Sequence, residues 1–264
     1  MNSRTDACPG LREEAVRLMS EIGIPEGFAA RVAEQLPAGG CGQADANGDG
    51  AGVLACRLAE AAESRARGAW KRIPEQIWLD TMRCFSRFIS EYHRSYGRDG
   101  FDRGEWTVRQ SGCRLFRIGE LEYELAEEDG KRFISLHIPS DARLEAELLN
   151  DSVRRARDFL REYYPEWQAL PIACESWLLS PKLADMLSPE SRIMRFRQAF
   201  DILQADTEDD SAIEWVFYVA EGQRASIKPE ALPENTSLQR RMKERLLKGE
   251  KPGNARGILV RAFR

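Results

Sequence analysis

Only two histidines occur in 264 residues, and the six cysteines are scattered with no CxxC pair. Clustered metal ligands are therefore missing, and the cysteines fit reduced thiols better than a disulfide framework or a zinc site. No apolar run approaches the roughly 20 residues of a membrane helix, and Met1 to Gly10 lacks the apolar core of a signal peptide, so a cytoplasmic protein without a membrane partner is expected. Positive charge is not in excess. Lys and Arg number 39 against 43 Asp and Glu, a formal net charge of -4, which argues against a nucleic-acid partner because polyanion binding needs a dense basic surface. No internal repeat is found. What remains, 42% hydrophobic and 31% charged residues, is ordinary for a globular chain, and the length allows two domains at about 150 residues each.

The first part of the chain has helical periodicity. Leu11, Ala15, Leu18, Met19 and Ile22 form one stripe, Phe28, Val32 and Leu36 a second after Pro25. Residues 37–52, PAGGCGQADANGDGAG, hold too little apolar content to bury and are expected to be a flexible loop. Helix resumes over Val53 to Trp70 and Glu75 to Tyr96, the latter with Trp78, Met82, Phe85, Phe88, Ile89 and Tyr92 on a wide apolar face. Asp45, Asn47, Asp49 and Gly50 match the opening of a calcium loop, but the twelfth position is Cys56 where a bidentate glutamate belongs, so no metal is expected.

After residue 105 the period changes to two. Cys113 to Ile118 leads through Gly119-Glu120 into Leu121, Tyr123 and Leu125, which alternate with Glu122, Glu124 and Ala126. Asp129-Gly130 is a tight-turn signal. Phe133, Ser135 and His137 then alternate with Ile134, Leu136 and Ile138 in a strand stopped by Pro139. Leu144 to Tyr164 reads as a helix with Leu148, Leu149, Val153, Ala156, Phe159, Leu160 and Tyr163 on one face. Ile172 to Leu203 reads as strand, short helix and strand, with Trp177 to Leu179 in the first strand and the helix starting at Pro181. Ala212 to Val219 and Ser237 to Leu247 are candidate helices, and Gly257 to Phe263 is a last strand. The basic stretch 239–251 is interrupted by Glu244 and Glu250 and reads as a solvated helix face.

This order, with HIPSDARL (137–144), SWLLSPKLADML (176–187), SRIMRF (191–196) and RGILVRAF (256–263), resembles the GNAT-like C-terminal domain of N-acyltransferases, which in that family follows an N-terminal helical domain. The resemblance implies an α+β fold: an all-helical domain over 1–105, then a GNAT-like mixed, mainly antiparallel sheet flanked by helices over 106–264. It implies an N-acyltransferase that takes acyl-CoA or CoA as substrate, with no metal, and passes an acyl group to an amine acceptor of unknown identity.

The same resemblance assigns the coenzyme pyrophosphate to the turn before the long helix, where backbone N–H groups and the helix start hold anions. That makes Ile138, Ser140, Asp141, Ala142, Arg143 and Leu144 candidate donor-binding residues. The segment departs from the glycine-rich family pattern: PSDARL has no glycine, and Asp141 adds negative charge that Arg143 could offset, although an exposed Arg beside an Asp is more often a solvated turn pair. His137, at the end of a central strand, is the candidate base for the incoming amine. Cys174 and Ser176 flank Glu175, share a strand face and are candidate nucleophiles if that face meets His137. His93 reads as structural. No tyrosine stands in 182–191, where the family often carries its thiolate-protonating acid, and Tyr218 lies beyond the next strand. The alternative is a non-catalytic ligand-binding or interaction protein on the same scaffold, favoured by the missing glycines.

Overall fold

A computed structural model describes residues 10–36, 48–220 and 222–264. Backbone contacts divide the chain into two units, Met1–Arg117 and Ile118–Arg264.

Among its described residues the first unit carries helices up to its last few positions: α1 (Leu11–Glu21), α2 (Glu26–Gln35), α3 (Ala51–Arg67), α4 (Glu75–Met82), α5 (Cys84–Tyr96) and α6 (Gly104–Ser111). Pro25 and Pro74 stand immediately before α2 and α4, where a missing N–H costs the helix nothing. The expected single helix over Glu75 to Tyr96 is two, because the backbone of Arg83 (ψ -9) leaves the helical path between them. No proline, glycine or capping residue marks that break. Leu18, Phe28, Leu54, Leu58, Trp70, Trp78, Met82 and Phe85 form the core, each shielded from solvent and each contributing about 1.5–3 kcal/mol by burial.

The residues of the calcium-like motif that are described do structural work. Residues 37–47 of the expected loop, Asp45 and Asn47 among them, lie outside the described residues, and the loop's expected end is corrected: Ala51 and Gly52 are buried in the first turn of α3. The Asp49 carboxylate accepts from Arg31 Nε at 3.0 Å and from the Ala51 N–H at 3.1 Å. Gly50, at φ 78, passes so close to Phe101 that a Cβ would sit 1.7 Å from its carbonyl oxygen; the position demands glycine. Cys56 is disulfide-bonded, which corrects the expectation of uniformly reduced thiols, whereas Cys84, Cys113 and Cys174 are buried thiols. Among the described residues no helix is long and apolar enough to cross a membrane.

The sheet has six strands: β1 (Leu115–Ile118), which carries the division between the units, β2 (Leu121–Glu128), β3 (Lys131–His137), β4 (Ile172–Ser176), β5 (Phe200–Asp206) and β6 (Asn254–Leu259), in the order β1-β2-β3-β4-β6-β5. It is mixed and mainly antiparallel, as expected, with β3 and β4 the parallel pair. Asp129 (φ 51) and Gly130 (φ 71) form the tight turn between β2 and β3, and left-handed geometry at both positions matches the twist of a two-residue hairpin. That turn pairs Glu128 with Lys131 and, counting outward, Tyr123 with Leu136 and Glu122 with His137.

One sheet face therefore carries Tyr123, Leu125, Ile134, Leu136, Ile172 and Cys174, and the other Glu122, Glu124, Ser135, His137, Ala173 and Glu175. Helix α7 (Ala146–Tyr163) packs on the apolar face. Its Ser152 hydroxyl, fully buried, meets the Tyr123 hydroxyl at 2.9 Å, accepts from the Leu121 N–H at 3.3 Å and donates to the Ile118 carbonyl.

Beyond Ser176 the chain departs from expectation. β4 ends there, and Trp177–Leu179 and Pro181–Asp185 form two successive 3₁₀ turns instead of more strand and an α-helix. Ser176 and Ser180 are the cause: each side-chain oxygen accepts a backbone N–H two residues on, at 3.2 Å, a local bond that competes with regular structure. Then follow α8 (Arg192–Arg197), α9 (Ala212–Phe217) and α10 (Ser237–Leu246). Leu183, Met186, Ala212, Val216, Phe217 and Met242 bury one another in a second cluster.

Candidate functional site

The parallel ladder between β3 and β4 is very short. It consists of Ile134 opposite Ile172 and Ser135 opposite Ala173. Beyond those pairs each strand keeps only its outer neighbour: Leu136 and His137 stay in register with Tyr123 and Glu122 of β2, and Cys174, Glu175 and Ser176 with Gly257, Arg256 and Ala255 of β6. The C-terminal ends of two central strands thus turn unladdered edges toward each other. Such edges offer backbone N–H and C=O groups to an extended ligand that carries amides of its own.

His137 stands at the end of β3 on the polar face. Its Nε2 is 2.9 Å from Glu124 Oε2, with side-chain exposures of 27% and 9%. The carboxylate is the buried partner and the ring the accessible one. Glu124 is a diagonal neighbour, since Glu122 lies directly opposite His137 and Glu124 opposite Ser135. Glu175 is exposed on the same face of β4 and pairs in register with Arg256 of β6.

Segment 138–145 joins this strand end to α7. Ala142 N–H closes a turn on the Pro139 carbonyl at 2.9 Å. Arg143 does not offset Asp141: its guanidinium grips Glu120 in the β1–β2 turn at 2.7 and 3.1 Å, and its backbone N–H donates to the other oxygen of Glu120 at 2.9 Å. The guanidinium's hydrogen bonds to Glu120 and the negative charge of that carboxylate raise the Arg143 pKa. Helix α7 starts after Glu145 with no side-chain cap, and the first N–H groups of any helix find no acceptor within it. Glu145 is held on one oxygen by Arg192 at 3.0 Å. Ile138, Ala142 and Leu144 are half-buried, and Ser140, Asp141 and Arg143 are exposed.

Cys174 and Ser176 do share a strand face, but it is not the face of His137, because the ladder sets Ala173 and Glu175 alongside Ser135 and His137. Proximity to His137 is corrected accordingly. Cys174 is 1% exposed, and its burial, reinforced by the charge of Glu175, pushes the thiol pKa far up, which disfavours the thiolate a nucleophile needs. The Ser176 oxygen is engaged in the 3₁₀ turn already described. His93 pairs with Asp99 at 2.8 Å in the helical unit. Tyr218 follows α9 in a left-handed conformation, φ 56.

Glu124 is the residue that sequence reasoning passed over. Its signal was present: the Asp129-Gly130 turn fixes the register, and the register alone puts Glu124 on the face of His137, two residues from the position opposite it.

Two family models match. That of the GNAT-like C-terminal domain covers residues 115–259, and that of the N-acyltransferase N-terminal domain covers 11–113. Among solved structures, an acyltransferase in complex with decanoyl-CoA and teicoplanin is 21% identical, with 94% of this chain and 88% of that chain aligned at a TM-score of 0.79. An acyltransferase in complex with CoA and 10C-teicoplanin is 21% identical over 94% of this chain and 87% of that one, TM-score 0.80. A third, in complex with decanoyl-CoA, is 24% identical over 96% and 88%, TM-score 0.78. At these identities the likeness is one of fold. No curated protein matches the chain.

Proposed function

From the premise that the chain belongs to the family of GNAT-like C-terminal domains, here joined to an N-acyltransferase N-terminal domain, we propose that it transfers an acyl group from acyl-coenzyme A to the amine of a small-molecule acceptor. The observation that carries this reading is the accessible His137, hydrogen-bonded to a buried carboxylate at the mouth of the opening between β3 and β4. The fold relatives, crystallised with CoA, decanoyl-CoA and teicoplanin ligands, support the same donor class and a small-molecule acceptor.

In this reading the pantetheine arm lies along the unladdered edges of β3 and β4, and the pyrophosphate meets segment 138–144 and the start of α7, where N–H groups and the helix dipole favour an anion. Backbone N–H groups suffice for that contact, so the absence of glycine narrows the approach without removing the donors. Arg143, through Glu120, holds the segment in place. The acceptor nitrogen attacks the thioester carbonyl carbon, a C–N bond forms, the C–S bond breaks, and the thiolate of coenzyme A leaves with the electron pair. His137 takes the proton from the attacking nitrogen. No enzyme nucleophile is required, in keeping with the burial of Cys174.

Release of the free coenzyme A thiol in the presence of a panel of amines, followed with decanoyl-CoA as the first donor, tests the reading. His137→Gln is expected to lower turnover by about 10² to 10⁴, the usual contribution of a general base, with donor affinity nearly unchanged by calorimetry. A wild-type chain that binds no acyl-CoA and releases no thiol would refute it.

A further inference from the structure

A carboxylate that touches the buried side of a catalytic imidazole does more than fill a hole in the sheet. Glu124 reaches His137 on Nε2, and among the described residues Nδ1 has no hydrogen-bond partner. An ionised carboxylate only accepts hydrogen bonds, so a neutral His137 must carry its proton on Nε2 and its lone pair on Nδ1. The two exposures point the same way, with the carboxylate 9% and the ring 27% accessible. Other charged groups on this face are Glu122 opposite His137, Glu175 on β4 with its register partner Arg256, and the Glu128–Lys131 pair beside the hairpin turn; Arg256 is ion-paired with Glu128 at 2.6 Å.

We propose that Glu124 is a positioning residue of the reaction, holding His137 as the Nε2–H tautomer so that Nδ1 is the atom that takes the proton from the acceptor amine. This rests on the acyltransfer reading above and specifies the side from which the acceptor approaches. As the proton arrives on Nδ1, the imidazolium gains a positive charge beside Glu124, which the carboxylate stabilises without itself being protonated.

The chain has only two histidines, so ¹⁵N-imidazole NMR of the full-length protein resolves both, and His93→Asn assigns them. At a pH where His137 is neutral, the wild type is expected to show a protonated Nε2 and an unprotonated Nδ1; the opposite tautomer would overturn the proposal. Kinetically, Glu124→Gln should lower kcat by roughly ten- to a hundredfold, as loss of a partner that orients a functional imidazole does, while KM for the donor holds. An unchanged kcat would overturn the proposal even if the tautomer is as expected. If Glu124→Gln does not fold, the wild-type spectrum still decides the tautomer. Because that spectrum needs no turnover, a chain inactive on every donor refutes the acyltransfer reading separately from the Glu124–His137 geometry.

Discussion

At the scale of single residues, Cys174 and His137 illustrate how one ladder pair separates two side chains that alternation alone leaves together. Ser135 aligns with Ala173, so Cys174 enters the apolar layer beneath α7 while His137 stays on the polar face. The consequence is measurable. Burial raises the Cys174 pKa, which suppresses the thiolate at neutral and mildly alkaline pH, so iodoacetamide at pH 8 should leave Cys174 unmodified in the folded chain and modify it once urea unfolds the protein. Mass spectrometry of the tryptic peptide reads both states. Cys174→Ala should likewise keep its turnover, and rapid native-state alkylation together with lost activity would restore the nucleophile reading. His137 was visible in the sequence as a rare residue at a strand end. Its partner needed the register, which a turn of type Asp-Gly already implies.

The decisive element is α7. Its periodicity made it a helix with an apolar stripe, and Leu149, Ala156, Phe159 and Leu160 are buried as that stripe requires. Val153 was expected on the stripe and is only half-buried, whereas Ser152, which a hydropathy pattern assigns to solvent, is fully buried. The helix is rotated to place a hydroxyl among the Tyr123 hydroxyl, the Leu121 N–H and the Ile118 carbonyl. A buried polar group with three partners is stabilising only as a set. Ser152→Ala keeps the Cβ that packs against Gly119 and removes the hydroxyl alone, so it should cost about 1–3 kcal/mol, the penalty of stranding buried polar partners. Urea unfolding checks this as a lower midpoint with an unchanged slope. A midpoint equal to the wild type would mean that water replaces the hydroxyl and that the rotation of α7 has another cause.

For the whole molecule, the acyltransfer reading requires coenzyme A to bind the folded chain and not the unfolded one. Free ligand at 100 times its Kd should then add about 2.7 kcal/mol of stability, with Tm rising further as concentration increases. Calorimetry or thermal-shift measurement with CoA and decanoyl-CoA reads this directly. A Tm insensitive to both, at concentrations up to millimolar, would favour the non-catalytic alternative.

Much of this molecule was determined by local sequence. Periods of 3.6 and 2 separate the helical part from the sheet, Asp129-Gly130 sets a hairpin and its register, and Pro139 ends a central strand; each is a short-range steric or solvation effect that a few neighbouring residues fix. Tertiary structure decided the rest. Whether β3 and β4 stay paired past Ser135 depends on β2 and β6 holding their outer edges, and which face Cys174 joins depends on a parallel pairing between strands separated by α7. The partner of Arg143 is a glutamate 23 residues away, and no proline, glycine or capping residue signals the break at Arg83. Contacts between distant segments carry no periodicity and no composition of their own, so they become legible only when the chain has closed on itself.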